Sequence, residues 1–122
     1  MAERILDNRR ILLAEDEYML ADDLRQELED AGATVLGPVP DLGAAPELLG
    51  AEAVDGAVLD IDLSSETSYP VADALLRRSI PLVFTTGYDA AALPERYRGV
   101  VRYEKPVRVG DVCGGLERVI AR

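Results

Sequence analysis

The sequence has no histidine and a single cysteine, Cys113. Without histidine there is no Ser–His or Cys–His nucleophilic pair, no imidazole ligand for a metal, and no phosphohistidine on the chain itself. One thiol cannot close an internal disulfide, so a reducing compartment is expected, and the cytoplasm is the natural one. No apolar run approaches the ~18 residues of a membrane span. The N-terminal "MAERILDNRR" lacks the long apolar core of a secretory signal. Basic residues are the scarcer charge: 13 Lys and Arg face 23 Asp and Glu, for a formal net charge of -10. That balance argues against nucleic acid and anionic membrane as partners, because both attract basic surfaces. The chemistry left to the chain belongs to carboxylates, hydroxyls, lysine and arginine.

What is present is one domain's worth of globular sequence. The chain has 122 residues, 48% of them hydrophobic, with no repeat, low-complexity segment or dividing linker. We expect one domain over 1–122 with its core at about 10–120. Five short apolar runs read as strands: 10–16, 33–39, 56–60, 80–86 and 100–104. Pro38 is expected to break the second. Between them lie helical patterns. In 17–32, Leu20, Leu24, Leu28 and Ala31 share one face and Gly32 marks the stop. A short helix is expected over 42–52, with Pro46 in its first turn. Another is expected over 69–79, with Pro70 at its start. The segment 89–97, interrupted by Pro94, reads as a weak helix of low local stability. In 107–122, Val109, Val112, Leu116, Val119 and Ile120 share a side, and three glycines weaken the helix. Apolar strands alternating with helices predict an α/β fold, a doubly wound parallel sheet covered on both faces.

Such sheets build their sites at the carboxyl ends of strands. Glu15, Asp16 and Glu17 follow the first strand, and Asp60 ends the third. Thr85, Thr86 and Gly87 end the fourth, and Lys105 and Pro106 follow the fifth. Each has an ordinary structural role open to it, as helix cap, turn residue or solvated charge. Strands one and three are neighbours in a doubly wound sheet, however, so Glu15, Asp16 and Asp60 should meet. Carboxylates 4 Å apart repel by about 4 kcal/mol at an effective dielectric of 20 and call for a proton or a cation. Oxygen ligands without His or Cys suit Mg²⁺. A carboxylate held between Mg²⁺ and Lys105 can attack a phosphoryl group, with the Thr86 hydroxyl donating to a phosphoryl oxygen. Asp60 is therefore the expected phosphoacceptor.

The motifs "LLAEDE", "VLDIDL", "FTTG" and "EKP", in this order and separated by helices, resemble the receiver domain of bacterial two-component response regulators. The likeness runs from about Arg10 to Ile120. It implies a flavodoxin-like five-stranded parallel sheet of order 2-1-3-4-5. It also implies that Asp60 accepts the phosphoryl group, with Thr86 as switch hydroxyl and Lys105 as the partner lysine. Mg²⁺ would be held by Asp16 directly, by Glu15 in an assisting role, by Asp60, and by the backbone carbonyl of Asp62. A cis Lys105–Pro106 bond is implied as well. The implied partner is a histidine kinase or histidine phosphotransfer protein, and the first helix helps dock it in such domains. No enzyme activity is implied beyond Mg²⁺-dependent self-phosphorylation and self-dephosphorylation. Output would be protein binding or phosphate relay.

The chain departs from the common receiver pattern three residues before the lysine, where Arg102 replaces an aromatic. Tyr103, one residue on, should face the other side of its strand. The run "PLVFTTGY" is similar to the signature of a receiver subgroup nicknamed FAT GUY, often stand-alone regulators in stress-signalling phosphorelays. It departs from that signature at Leu82 and Thr85. In this reading Tyr88 replaces the missing aromatic, and Thr86, Gly87 and Tyr88 form the switch; alternatively Tyr88 only packs on its loop. The initial Met1 and the ending at Arg122 fit a stand-alone chain. Two other functions share features. "DIDLS" resembles the core of haloacid-dehalogenase-like phosphatases, but there the acidic pair follows the nucleophile, and 122 residues leave no room for a cap. A non-phosphorylated pseudo-receiver would be a binding module only, against which stands the complete set of acids, hydroxyl and lysine.

Overall fold

Alternating residues of short apolar strands must bury side chains on two opposite faces, and this chain supplies a layer for each. The structure, a computed structural model, describes residues 4–41, 43, 49–50, 53–64, 66–87 and 93–122. In chain order the elements are β1 (Arg10–Ala14), α1 (Tyr18–Asp30), β2 (Thr34–Val39), β3 (Gly56–Asp60), β4 (Asp62–Leu63) and β5 (Glu66–Thr67). They continue with α2 (Tyr69–Arg77), β6 (Leu82–Thr86), a 3-10 turn (Glu95–Tyr97), β7 (Val101–Glu104) and α3 (Val109–Ala121). Five strands form one parallel sheet in the order β2-β1-β3-β6-β7. Counting those five alone, this is the expected order 2-1-3-4-5. The small antiparallel hairpin β4–β5 was not foreseen from the sequence.

Ile11, Leu13, Val58 and Val83 face α1 and α3, where they meet Leu24, Leu28, Val112 and Leu116. Leu12, Leu59, Leu82 and Phe84 face the other way, onto Val71, Ala72 and Leu75 of α2. Every residue of β3 and β6 is buried, as central strands covered on both faces require. The expected helix at 42–52 falls mostly outside the described residues; Leu49 and Gly50 are helical and Leu49 is buried.

Three local findings refine the sequence reading. First, Pro38 does not break its strand. Leu12 pairs with Leu36 and Ala14 with Val39, so β2 carries an extra residue in a bulge at Gly37–Pro38. As an edge strand β2 tolerates a missing N–H. Gly37 has φ +116, and a Cβ there would stand 2.6 Å from the Leu13 carbonyl oxygen, so only glycine fits. Second, Gly115 is less a weakness of α3 than a packing site: a Cβ would collide with the Tyr103 hydroxyl. Third, the end of the "DAAALPERY" segment is firmly anchored, while 89–92 lie outside the described residues. Tyr97 is fully buried. Its ring centroid is 4.9 Å from that of Tyr69 and 5.4 Å from that of Phe84. Its hydroxyl donates to Asp73 Oδ1 at 2.5 Å.

Candidate functional site: a carboxylate cluster at the strand ends

Parallel pairing of β1 with β3 sets Ala14 beside Leu59, so the residues that follow, Glu15, Asp16 and Asp60, emerge together. One oxygen from each lies within 4.8 Å of the others, a grouping able to hold a cation. Glu15 and Asp60 are buried and Asp16 is exposed. Pairing of β6 with both β3 and β7 sets Asp60 beside Thr85 and Thr86 beside Glu104, which brings Lys105 over the acids. The Lys105 backbone amide donates to the Thr86 carbonyl at 2.8 Å. The Lys105–Pro106 bond is cis, as the resemblance implied.

Lys105 Nζ donates to Asp60 Oδ2 at 2.9 Å and to Glu15 Oε2 at 3.1 Å, and stands 3.6 Å from Glu17 Oε2. One ammonium thus serves three carboxylates while Asp16 is left to other donors. Glu15 Oε2 also accepts the Glu17 amide at 3.0 Å, and Asp60 Oδ1 accepts the Asp62 amide at 3.2 Å. Glu15 Oε1 is buried with no hydrogen-bond partner. A buried carboxylate oxygen left bare is costly unless something else meets it. Burial, with the Asp60 charge adding to it, pushes the Glu15 carboxyl up to about 7, against the lowering effect of the Glu17 amide and Lys105. Desolvation disfavours the Lys105 ammonium, yet hydrogen bonds to Asp60 and Glu15 outweigh it and raise its pKa. Desolvation, then the charges of Asp60 and Asp16, raise that of Asp62. The donor set fits a hard divalent cation: three carboxylates, one bare buried oxygen, and a lysine already shared.

The structure brings together Glu15, Asp16, Asp60 and Lys105, with Asp62 opening β4 directly beyond them and Thr86 buried at the end of β6. Gly87 follows Thr86 and is exposed; Tyr88 lies outside the described residues. Arg102 is exposed, while Tyr103 packs with α3 on the opposite side of β7, as the strand period predicted. The sequence reading missed Ser64, whose amide donates to Asp16 Oδ2 at 3.0 Å. The only signal for it was a short polar stretch after Leu63.

Solved structures with this architecture decide the family. SdrG from Sphingomonas melonis Fr1 is 32% identical, with a TM-score of 0.80 over 94% of this chain and 98% of that one. SdrG from Pseudomonas melonis Fr1 in its BeF3-activated conformation is 31% identical, with a TM-score of 0.71 over 96% of this chain and 99% of that one. The non-phosphorylated HemR receiver domain from Leptospira biflexa is 30% identical, with a TM-score of 0.79 over 94% of this chain and 96% of that one. The chain belongs to the response regulator receiver family. No family model matches the sequence. Among curated proteins, the transcriptional regulatory protein PdtaR of Mycobacterium tuberculosis is 29% identical over 118 residues. The match covers 93% of this receiver but only 58% of PdtaR. The haloacid-dehalogenase-like alternative finds no support. Receiver domains are typically not enzymes, and the family implies signalling partners. Among the described residues no helix is long and apolar enough to cross a membrane.

Proposed function

We propose that the chain is a phosphoacceptor receiver that takes a phosphoryl group onto Asp60 from a histidine kinase or histidine phosphotransfer protein. One observation carries this reading: Glu15, Asp16 and Asp60 cluster with only Lys105 on Glu15 and Asp60 to offset them, and a buried Glu15 oxygen is still unmatched. Glu15, Asp16, Asp60 and the Asp62 carbonyl would hold Mg²⁺. Bound there, Mg²⁺ would offset charge on the phosphoryl oxygens. An Asp60 carboxylate oxygen attacks phosphorus, the new O–P bond forms, and the donor's N–P bond breaks with its electron pair returning to the imidazole. Lys105, already 2.9 Å from Asp60, steadies the charge, and the Thr86 hydroxyl donates to a phosphoryl oxygen. Thr86, Gly87 and Tyr88 form the switch. Tyr18 and Met19, which are 83% and 75% exposed directly after the acids, give a donor protein an apolar foothold.

The same reading makes residues 1–122 a single receiver domain with its core at about 10–120. It is a cytoplasmic receiver of the FAT GUY subgroup, acting by protein–protein contact rather than on nucleic acid or membrane. The test is incubation with a small phosphodonor, with and without Mg²⁺, followed by intact mass. The wild-type chain should gain one phosphoryl group only with Mg²⁺, and Asp60→Asn should gain none. An Asp60→Asn variant that gains phosphate equally would refute the assignment, and a wild-type chain inert to every donor would favour a pseudo-receiver.

A further inference from the structure

Asp16 is the exposed member of the three clustered carboxylates, yet it is the one clamped by a remote backbone amide. The Ser64 N–H donates to Asp16 Oδ2 at 3.0 Å across 48 positions of sequence. The Ser64 hydroxyl donates to the Pro40 carbonyl at 2.9 Å. One residue thereby ties the end of β1, through Asp16, to the end of β2, through Pro40. The hairpin that carries it is rooted: Leu63, directly before Ser64, is fully buried, and β4 pairs with β5. Ser64 has φ +48, a left-handed backbone uncommon for residues other than glycine. Such a conformation persists where surrounding contacts fix it. A free exposed Asp16 would have to give up rotamer freedom on meeting a cation. With one oxygen held by a fixed donor, the other is presented in a fixed direction, as partners of metal ligands do elsewhere.

We infer that Ser64 is a positioning residue for the cation site: its amide holds Asp16 Oδ2 so that Oδ1 faces the cation, and its hydroxyl fixes the hairpin tip from which that amide donates. This rests on the Mg²⁺ reading proposed above. Ser64→Ala keeps the amide but removes the tether to Pro40; Ser64→Gly also frees the backbone.

Titrate Mg²⁺ into the ¹⁵N-labelled full chain and follow amide shifts of residues 14–17 and 60–64. Loss of a group that orients a metal ligand typically costs 10–100-fold in affinity. With the amide retained, a fall of about 3–10-fold is expected for Ser64→Ala, and at least as much for Ser64→Gly. Thermal unfolding of both in chelator should stay close to wild type. Amide exchange gives a second readout that a merely structural role would not move. The Ser64 amide should exchange more slowly in Mg²⁺-saturated wild type than in chelator, and faster in metal-free Asp16→Ala, which removes its acceptor. Unchanged affinity in both Ser64 variants, or a Ser64 amide that exchanges faster on adding Mg²⁺, overturns the inference. If the wild-type chain binds no Mg²⁺, the metal reading falls and takes this inference with it. If wild type binds and the variants match it, only this inference falls.

Discussion

Two carboxylates in this molecule, Asp73 on α2 and Asp60 at the end of β3, each lie against a cation. Asp73 accepts from Arg96 Nε at 3.1 Å and from the Tyr97 hydroxyl at 2.5 Å. Arg96 in turn lies over the Tyr97 ring, 4.5 Å from its centroid. Charges there balance one to one, and the hydrogen bonds from Arg96 and Tyr97 lower the Asp73 pKa. At the strand ends one lysine is shared among Asp60, Glu15 and Glu17, and the buried Glu15 carboxyl is pushed up to about 7. The first arrangement is complete and holds the 3-10 turn against α2 and β6. The second is short of positive charge inside a rigid frame. That deficit is what the proposed cation would offset.

The comparison breaks first at Tyr97. Tyr97→Ala removes a fully buried ring from the complete cluster and should cost about 3–5 kcal/mol in urea unfolding. A loss under ~1 kcal/mol would mean that the turn contributes little to the core. Next comes pH. The Glu15 carboxyl titrates near 7 when folded, above its ordinary 4.5. Between those values the native state holds more protons than the unfolded chain. In chelator, stability is therefore greatest below 4.5 as far as Glu15 is concerned and declines as pH rises to 7. Allowing for solvent screening, that decline is on the order of 1–2 kcal/mol. Glu15→Gln should flatten it. Asp73 has the opposite sign: its lowered pKa contributes stability above the ordinary carboxylate range, and this is lost in acid.

Third, Asp60→Asn in metal-free buffer should stabilise the fold by about 1 kcal/mol, since it relieves repulsion with Glu15. A clear destabilisation would make the cluster structural after all. The smallest expected effect is that of Tyr97→Phe, about 0.5–1 kcal/mol, because Asp73 keeps Arg96 while only the hydroxyl's contacts with Asp73 and the Tyr69 carbonyl go. If Tyr97→Phe matched Tyr97→Ala, the hydroxyl rather than the ring would hold the turn.

The sheet was legible because its strands are apolar throughout, and the site because acids, threonine and lysine stand directly at strand ends. Both follow from short-range pattern plus one topological rule. What escaped the sequence depends on contacts between distant segments. Tyr97 follows Pro94 in a stretch without helical period, so nothing local marks it as core; its partners Tyr69 and Phe84 are far away in sequence. Pro38 reads locally as a break, and only the edge position of β2 with the space at Gly37 makes it a bulge. Ser64 reads as an ordinary turn residue, since its acceptor lies 48 residues earlier. Arg102 and Tyr103 were assigned to opposite faces correctly, because strand period alone decides that.

The close approach of Gly115 to the Tyr103 hydroxyl has a genealogical consequence. Neither residue is free to drift alone. Enlarging position 115 forces the Tyr103 ring out of its place unless position 103 has already become smaller. Shrinking position 103 first opens a gap that a larger residue at 115 can then fill. The two positions form a pair of mutational steps in which one order passes through a gap and the other through a clash. Descendant sequences should therefore favour the small-with-large combination seen here or its reverse over large-with-large.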